Sequence, residues 1–221
     1  MTMGFFESLF GKNKEKSVNS DEQKVSVLYD TFPDKPQPFA FRNYWLCVKS
    51  TNPEAVITAL GLKNAVPANW ESGLSQRKVF VSPAVNGYVL VIGYLTMLGG
   101  NAEMEMNRLR AAAQNFPEMQ CFSFQSTVDF YAWAKFVGGE LIRCYGWLGE
   151  SGELYMNSGA ITPEEQELGF DSFIQTDEDD WEAVEFPDED SVTSIAAAWG
   201  VDPWFSEEKY DCGVGYVCDM S

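Results

Sequence analysis

The chain has 221 residues, 45% hydrophobic and 14% aromatic, with 33 acidic side chains against 15 basic ones, no histidine, and a net charge of −18. Such an excess of negative charge repels nucleic acid and anionic membranes and attracts basic protein surfaces. Without histidine there is no Ser-His-Asp or Cys-His nucleophile and no imidazole base, and most catalytic zinc, iron and copper sites lose their usual ligand.

Seven Trp, nine Tyr and sixteen Phe are too many for a chain that stays solvated, so a packed core is expected rather than a disordered acidic protein. No run approaches the ~20 apolar residues that span a bilayer, which predicts no transmembrane segment. The five cysteines, Cys47, Cys121, Cys144, Cys212 and Cys218, are odd in number and lack framework spacing. With no signal-peptide core at the N-terminus, a reducing cytoplasm and buried, reduced thiols are the expectation.

Along the chain, Phe5, Phe6, Leu9 and Phe10 fall at helical spacing and are followed by Lys12, Lys14 and Lys16. Residues 1–24 therefore read as an amphipathic helix and a polar linker, and residues 25–221 as a single compact domain. Tyr44 to Val48 has strand character. Asn52 caps a helix from Pro53 to Leu60 that Gly61 closes, with proline at the start and glycine past the end.

Two segments then resemble each other. Val79 to Val85 leads through Asn86-Gly87 into Tyr88 to Ile92; Tyr131 to Val137 leads through Gly138-Gly139 into Glu140 to Tyr145. Asn-Gly and Gly-Gly supply the positive φ angles of two-residue hairpin turns, so both predict β-hairpins. The pair is read either as an internal duplication or as two hairpins alike for physical reasons alone. Between them a helix is expected from Ala102 to Phe116, ended by Pro117. The fold class that follows is α+β: an antiparallel sheet with two related hairpins and several short packing helices.

The charge is strongly one-sided. Twenty of the acids lie between Glu150 and Ser221, where Lys209 is the only base, whereas residues 1–149 hold 13 acids and 14 bases. Thr162-Pro163-Glu164-Glu165 predicts a capped short helix ending near Gly169, and Pro187 to Asp190 opens a helix over Ser191 to Trp199 that ends at Gly200. Asp177, Glu178, Asp179 and Asp180 sit beside Trp181 among Phe170, Phe173 and Ile174, placing steering charge next to an aromatic anchor. These four acids lack the alternating ligands and the glycine of a calcium loop, and Cys212 and Cys218 lack the spacing of a zinc knuckle, so no metal or other cofactor is expected. The last segment, Tyr210 to Cys218, reads as a hairpin turning at Gly213 or Gly215.

No catalytic constellation emerges: the GxG at Gly213 to Gly215 has no third glycine or following helix, and there is no phosphate-binding GxxxxGK[ST] loop. Among the tryptophans, Trp133, Trp147 and Trp199 have core phase, whereas Trp70 and Trp204 lie in Gly- or Pro-flanked stretches that suit the surface. The expected function is a non-enzymatic protein-binding module that engages a basic partner through Asp177, Glu178, Asp179, Asp180, Trp181 and Trp204. A small, acidic, aromatic-rich profile of this kind is similar to that of bacterial immunity proteins that neutralise basic toxin domains. The resemblance implies an inhibitor-type module and assigns no residue. The alternative is a small-molecule or saccharide-binding protein, including a carboxylate-dependent hydrolase, built on the same aromatic wealth.

Overall fold

The computed structural model describes residues 28–40, 44–93, 102–149, 153–171, 186–206 and 209–220. Nine antiparallel strands form one sheet: β1 (Tyr44–Lys49), β2 (Lys63–Ala68), β3 (Val79–Val85), β4 (Tyr88–Ile92), β5 (Glu118–Gln125), β6 (Phe130–Val137), β7 (Glu140–Leu148), β8 (Glu153–Ser158) and β9 (Gly215–Asp219). Their spatial order is β2-β9-β3-β4-β1-β5-β6-β7-β8. Among the described residues five α-helices pack on it: α1 (Pro53–Ala59), α2 (Trp70–Leu74), α3 (Ala102–Ala113), α4 (Pro163–Glu167) and α5 (Glu189–Trp199).

Because side chains alternate across a strand, β1 sends Trp45 and Cys47 to one face of the sheet and Leu46 and Val48 to the other. The first face is covered by Trp70 and Leu74 of α2 and by Val192, Ile195, Ala196 and Trp199 of α5. The second packs on Val56 of α1 and on Leu109, Ala112 and Ala113 of α3. With apolar layers on both sides, all five residues of β4 are buried. That explains why Tyr88 to Ile92 is a continuous apolar run rather than an alternating one.

On the first face the register lines up Phe80, Ile92, Trp45, Phe122, Trp133 and Tyr145 across six adjacent strands. Trp45 stacks on Phe122 at 5.2 Å between ring centroids, and Trp133 on Tyr145 at 4.5 Å. Cross-strand aromatic pairs of this kind each add up to about 1 kcal/mol and fix the register against slippage. A one-residue slip would turn the whole row to the opposite face.

Local signals act as the sequence suggests. The Asn52 side chain accepts from the Ala55 N–H at 3.0 Å and starts α1. Positive φ angles at Asn86 and Gly87, and again at Gly138 and Gly139, turn the β3–β4 and β6–β7 hairpins. Thr162 and Glu165 form a reciprocal capping box on α4, as do Asp188 and Ser191 on α5.

Four expectations need correction. Tyr210 to Cys218 is not a hairpin; it delivers the single strand β9, which runs between β2 and β3 and bonds to both. Trp70 is fully buried, its ring edge-on to Phe80 and Phe205, so its flanking loop does not place it at the surface. The helix expected from Ala102 to Phe116 is α3, and it stops at Ala113. Of the five reduced cysteines four are buried, but Cys212 is exposed. The N-terminal amphipathic segment and linker, residues 1–24, lie outside the described residues. Among the described residues no helix is long and apolar enough to cross a membrane.

Candidate functional site

The expected partner-binding residues divide. Asp177, Glu178, Asp179, Asp180 and Trp181 lie outside the described residues. Trp204 is described and is 50% exposed, following a turn in which Asp202 accepts from the Trp204 and Ser206 N–H groups at 2.9 and 3.1 Å.

Acidic and aromatic side chains come together elsewhere, at the end of the sheet where β6 begins and β7 finishes. An open cavity of about 430 Å³ is lined by Asp129, Tyr131, Trp147, Gly149, Phe186, Pro187 and Asp188. Tyr131 and Trp147 are cross-strand partners and so project on the same face. Phe186, 43% exposed, lies over Trp147 with centroids 5.0 Å apart and planes 31° from parallel. Asp188 arrives as the N-cap of α5, its Oδ1 accepting from the Ser191 N–H at 2.8 Å and hydroxyl at 2.7 Å.

Asp129 reaches the cavity from the β5–β6 connection, where it holds a left-handed conformation, φ 48° and ψ 44°. Its carbonyl accepts from the Gly149 N–H at 2.9 Å. A Cβ on Gly149 would stand 2.6 Å from the Cβ of Asp129 and 3.3 Å from the Trp147 indole nitrogen. Glycine at 149 is therefore what leaves room for the Asp129 side chain at this end of the sheet.

Carboxylates dominate the electrostatics here. Burial, and then the negative charges of Asp129, Glu189 and Asp188, hold the Tyr131 hydroxyl above its ordinary pKa. Glu189 accepts from the Ser126 hydroxyl. Among the described residues no basic side chain pairs with Asp129, Asp188 or Glu189. The positive end of α5 points the other way in sign, but a helix terminus amounts to about half a charge and three carboxylates outweigh it. No group of three His, Cys, Asp or Glu among the described residues is arranged to hold a metal ion.

A second polar cluster is sealed inside the sheet's first face. Arg143 of β7 and Glu165 of α4 are both fully buried. Trp133 donates its indole N–H to Glu165 at 2.7 Å, and the Thr162 N–H donates at 2.8 Å. Arg143 also donates to the Asn157 side chain at 2.7 Å and to the carbonyls of Cys144 and Ser158. Among the described residues its Nη2 and the nearby Tyr145 hydroxyl find no partner. With both charged side chains fully buried, this cluster clamps α4 to the sheet.

Sequence reasoning missed Asp129, Trp147 and Phe186 as members of one site. Trp147 has the phase of a core residue, and only its position at the end of the strand leaves it half-buried at a cavity wall. Nothing in the segment Val128-Asp129-Phe130 marks the aspartate beyond the tolerance of Asp for left-handed backbone.

Compared with known proteins, the chain matches no family model, no curated protein and no solved structure.

Proposed function

We propose that this protein is a non-enzymatic binding module that docks a basic protein partner through its acidic C-terminal third, at the start of α5, together with the sheet end beside it. The observation that carries this reading is the cavity in which Asp129 and Asp188, without basic partners among the described residues, stand beside the packed ring pair of Trp147 and Phe186. Charge at the rim speeds encounter and selects against acidic partners, while the aromatic pair supplies contact area that a charge alone lacks. The chain's net charge of −18 extends the same field over the surface. In this reading Asp177, Glu178, Asp179, Asp180, Trp181 and Trp204 remain candidate partner-binding residues, and an inhibitor-type role against a basic protein is the form it takes.

The second reading, a saccharide site, draws on the same aromatic pair beside carboxylates. A hydrolase would need both of its acids free to act on the sugar, one to carry a proton and the other as base or nucleophile. Asp188 is instead held by two hydrogen bonds as a helix cap, which favours binding over catalysis.

Capture on the immobilised protein, at low and at high salt, separates the readings. A basic partner retained at low salt and lost above physiological strength, with capture at low salt weakened by Asp188→Ser, supports docking. Retention that salt and Asp188→Ser leave unchanged overturns it.

A further inference from the structure

We infer that the cavity bounded by Asp129, Trp147, Phe186 and Asp188 takes an arginine side chain presented by the basic partner, a step that rests on the docking reading above. Three features select guanidinium among cations. The lining is aromatic: Trp147 and Phe186 pack on each other with centroids 5.0 Å apart and planes 31° from parallel, and Tyr131 is a third ring lining the cavity. A planar, weakly hydrated guanidinium stacks on such rings, whereas a lysine ammonium keeps its hydration shell and acts as a point charge.

The carboxylates are placed for the same ion. Asp129 and Asp188 line the cavity together with the rings, and both are exposed at its rim. A guanidinium held flat against an aromatic face keeps its N–H donors pointing outward in the ring plane, which is where rim carboxylates accept them. Asp188 keeps Oδ2 free of the cap, since the two hydrogen bonds from Ser191 both end on Oδ1.

Size agrees as well. About 430 Å³ is at the small end of ligand cavities, enough for one long side chain and ordered water and too little for a folded peptide turn. The remainder of the partner would then rest on the surrounding acidic surface, which supplies steering rather than shape.

The test uses the full-length ¹⁵N-labelled protein and three blocked tripeptides, acetyl-Gly-X-Gly-amide with X as arginine, lysine or citrulline. Citrulline has the shape of arginine without its charge. The signals read are the indole N–H of Trp147 and the amide of Gly149. We expect saturable shifts of both signals with the arginine peptide at millimolar concentration, a response at least several-fold weaker with lysine, and none with citrulline. Asp129→Asn and Phe186→Ala, both at exposed positions, should each weaken the arginine response about tenfold while the remaining spectrum stays folded.

An equal response to citrulline would show amide rather than cation recognition, and an equal response to lysine would remove the guanidinium assignment. A saturable shift with methyl glucoside in place of peptide would make the cavity a sugar site; each of these overturns the inference. If the arginine peptide is silent while salt-sensitive capture of a basic partner still depends on Asp188, the arginine assignment fails and the docking reading stands. If both are silent, both fail.

Discussion

Arg143 holds Glu165 through a single nitrogen: its Nε lies 2.8 Å from Oε1 and 2.9 Å from Oε2, and neither side chain reaches solvent. Removing one member of a buried pair leaves the other charged and desolvated, at a cost of about 3–5 kcal/mol. Against a typical total stability of about 5–15 kcal/mol, that loss is large. Arg143→Met and Glu165→Gln should therefore each lower the urea midpoint substantially with an unchanged slope. The double variant should lose less than the two singles added together, because neither charge is then left alone. A loss below about 1 kcal/mol for either single variant would mean the pair is worth no more than an exposed one.

How much of this was legible beforehand follows from the range of each signal. The α1 and α4 caps, both hairpin turns and the α5 helix are local devices, written within a few residues of where they act, and the structure contains them. β9 is not legible locally because its identity is non-local: Gly215 to Asp219 becomes a strand only by entering between β2 and β3, more than a hundred residues earlier in the chain. Gly213, just ahead of the strand, and Gly215, its first residue, signal a turn that pairing overrides. Arg143 is a clearer case. It stands in the apolar run of β7 with nothing nearby to neutralise it, and its partner Glu165 was accounted for by helix-dipole reasoning alone. The cavity was illegible for the same reason, since Asp129, Trp147 and Phe186 come from three separate segments that only the folded sheet and α5 bring together.

The thiols give a second prediction. Burial pushes the Cys144 and Cys218 thiols up from 9.0 to about 11, with Arg143 opposing the rise at Cys144 and Asp219 adding to it at Cys218. Cys47 and Cys121 are raised further, again by burial first. In the folded protein at pH 8, Cys212 alone should react with an aromatic disulfide reagent, and all five should react in denaturant. Because these folded pKa values lie above the unfolded ones, the neutral thiols stabilise the native state fully below about pH 9. That stability is lost as pH rises toward about 11, where the unfolded chain has already ionised. Thermal midpoints measured across this window should fall steadily; a flat profile would contradict the assignment of buried thiols.

Asp129 separates stability from function. Its left-handed backbone costs a non-glycine residue on the order of 1 kcal/mol, and strain of this kind persists where surrounding structure enforces it. Asp129→Gly relieves the strain while adding freedom to the unfolded chain, so folding stability should change by less than about 1 kcal/mol. Binding through the cavity should nevertheless be lost. Gly149→Ala is its complement: the carboxylate remains, but the added Cβ would stand 2.6 Å from the Asp129 Cβ and must displace it. Both variants should lose the arginine-peptide response, the first with a native melting curve and the second with a lowered one.

Asp188 serves two roles that two substitutions can divide. As the N-cap of α5 it satisfies the Ser191 N–H, and as a cavity residue it carries charge. Serine keeps the cap and removes the charge, whereas alanine removes both. Asp188→Ser should therefore unfold within about 0.5 kcal/mol of the parent, and Asp188→Ala about 1 kcal/mol lower, a difference read directly from paired urea curves. In a binding assay the order disappears: both variants lose the same charge and should show the same weakened, less salt-sensitive association with a basic partner. If serine retained full binding while alanine lost it, the contribution of Asp188 would be positional, through the start of α5 and the placement of Phe186, and the electrostatic account of the cavity would have to rest on Asp129 and Glu189 instead.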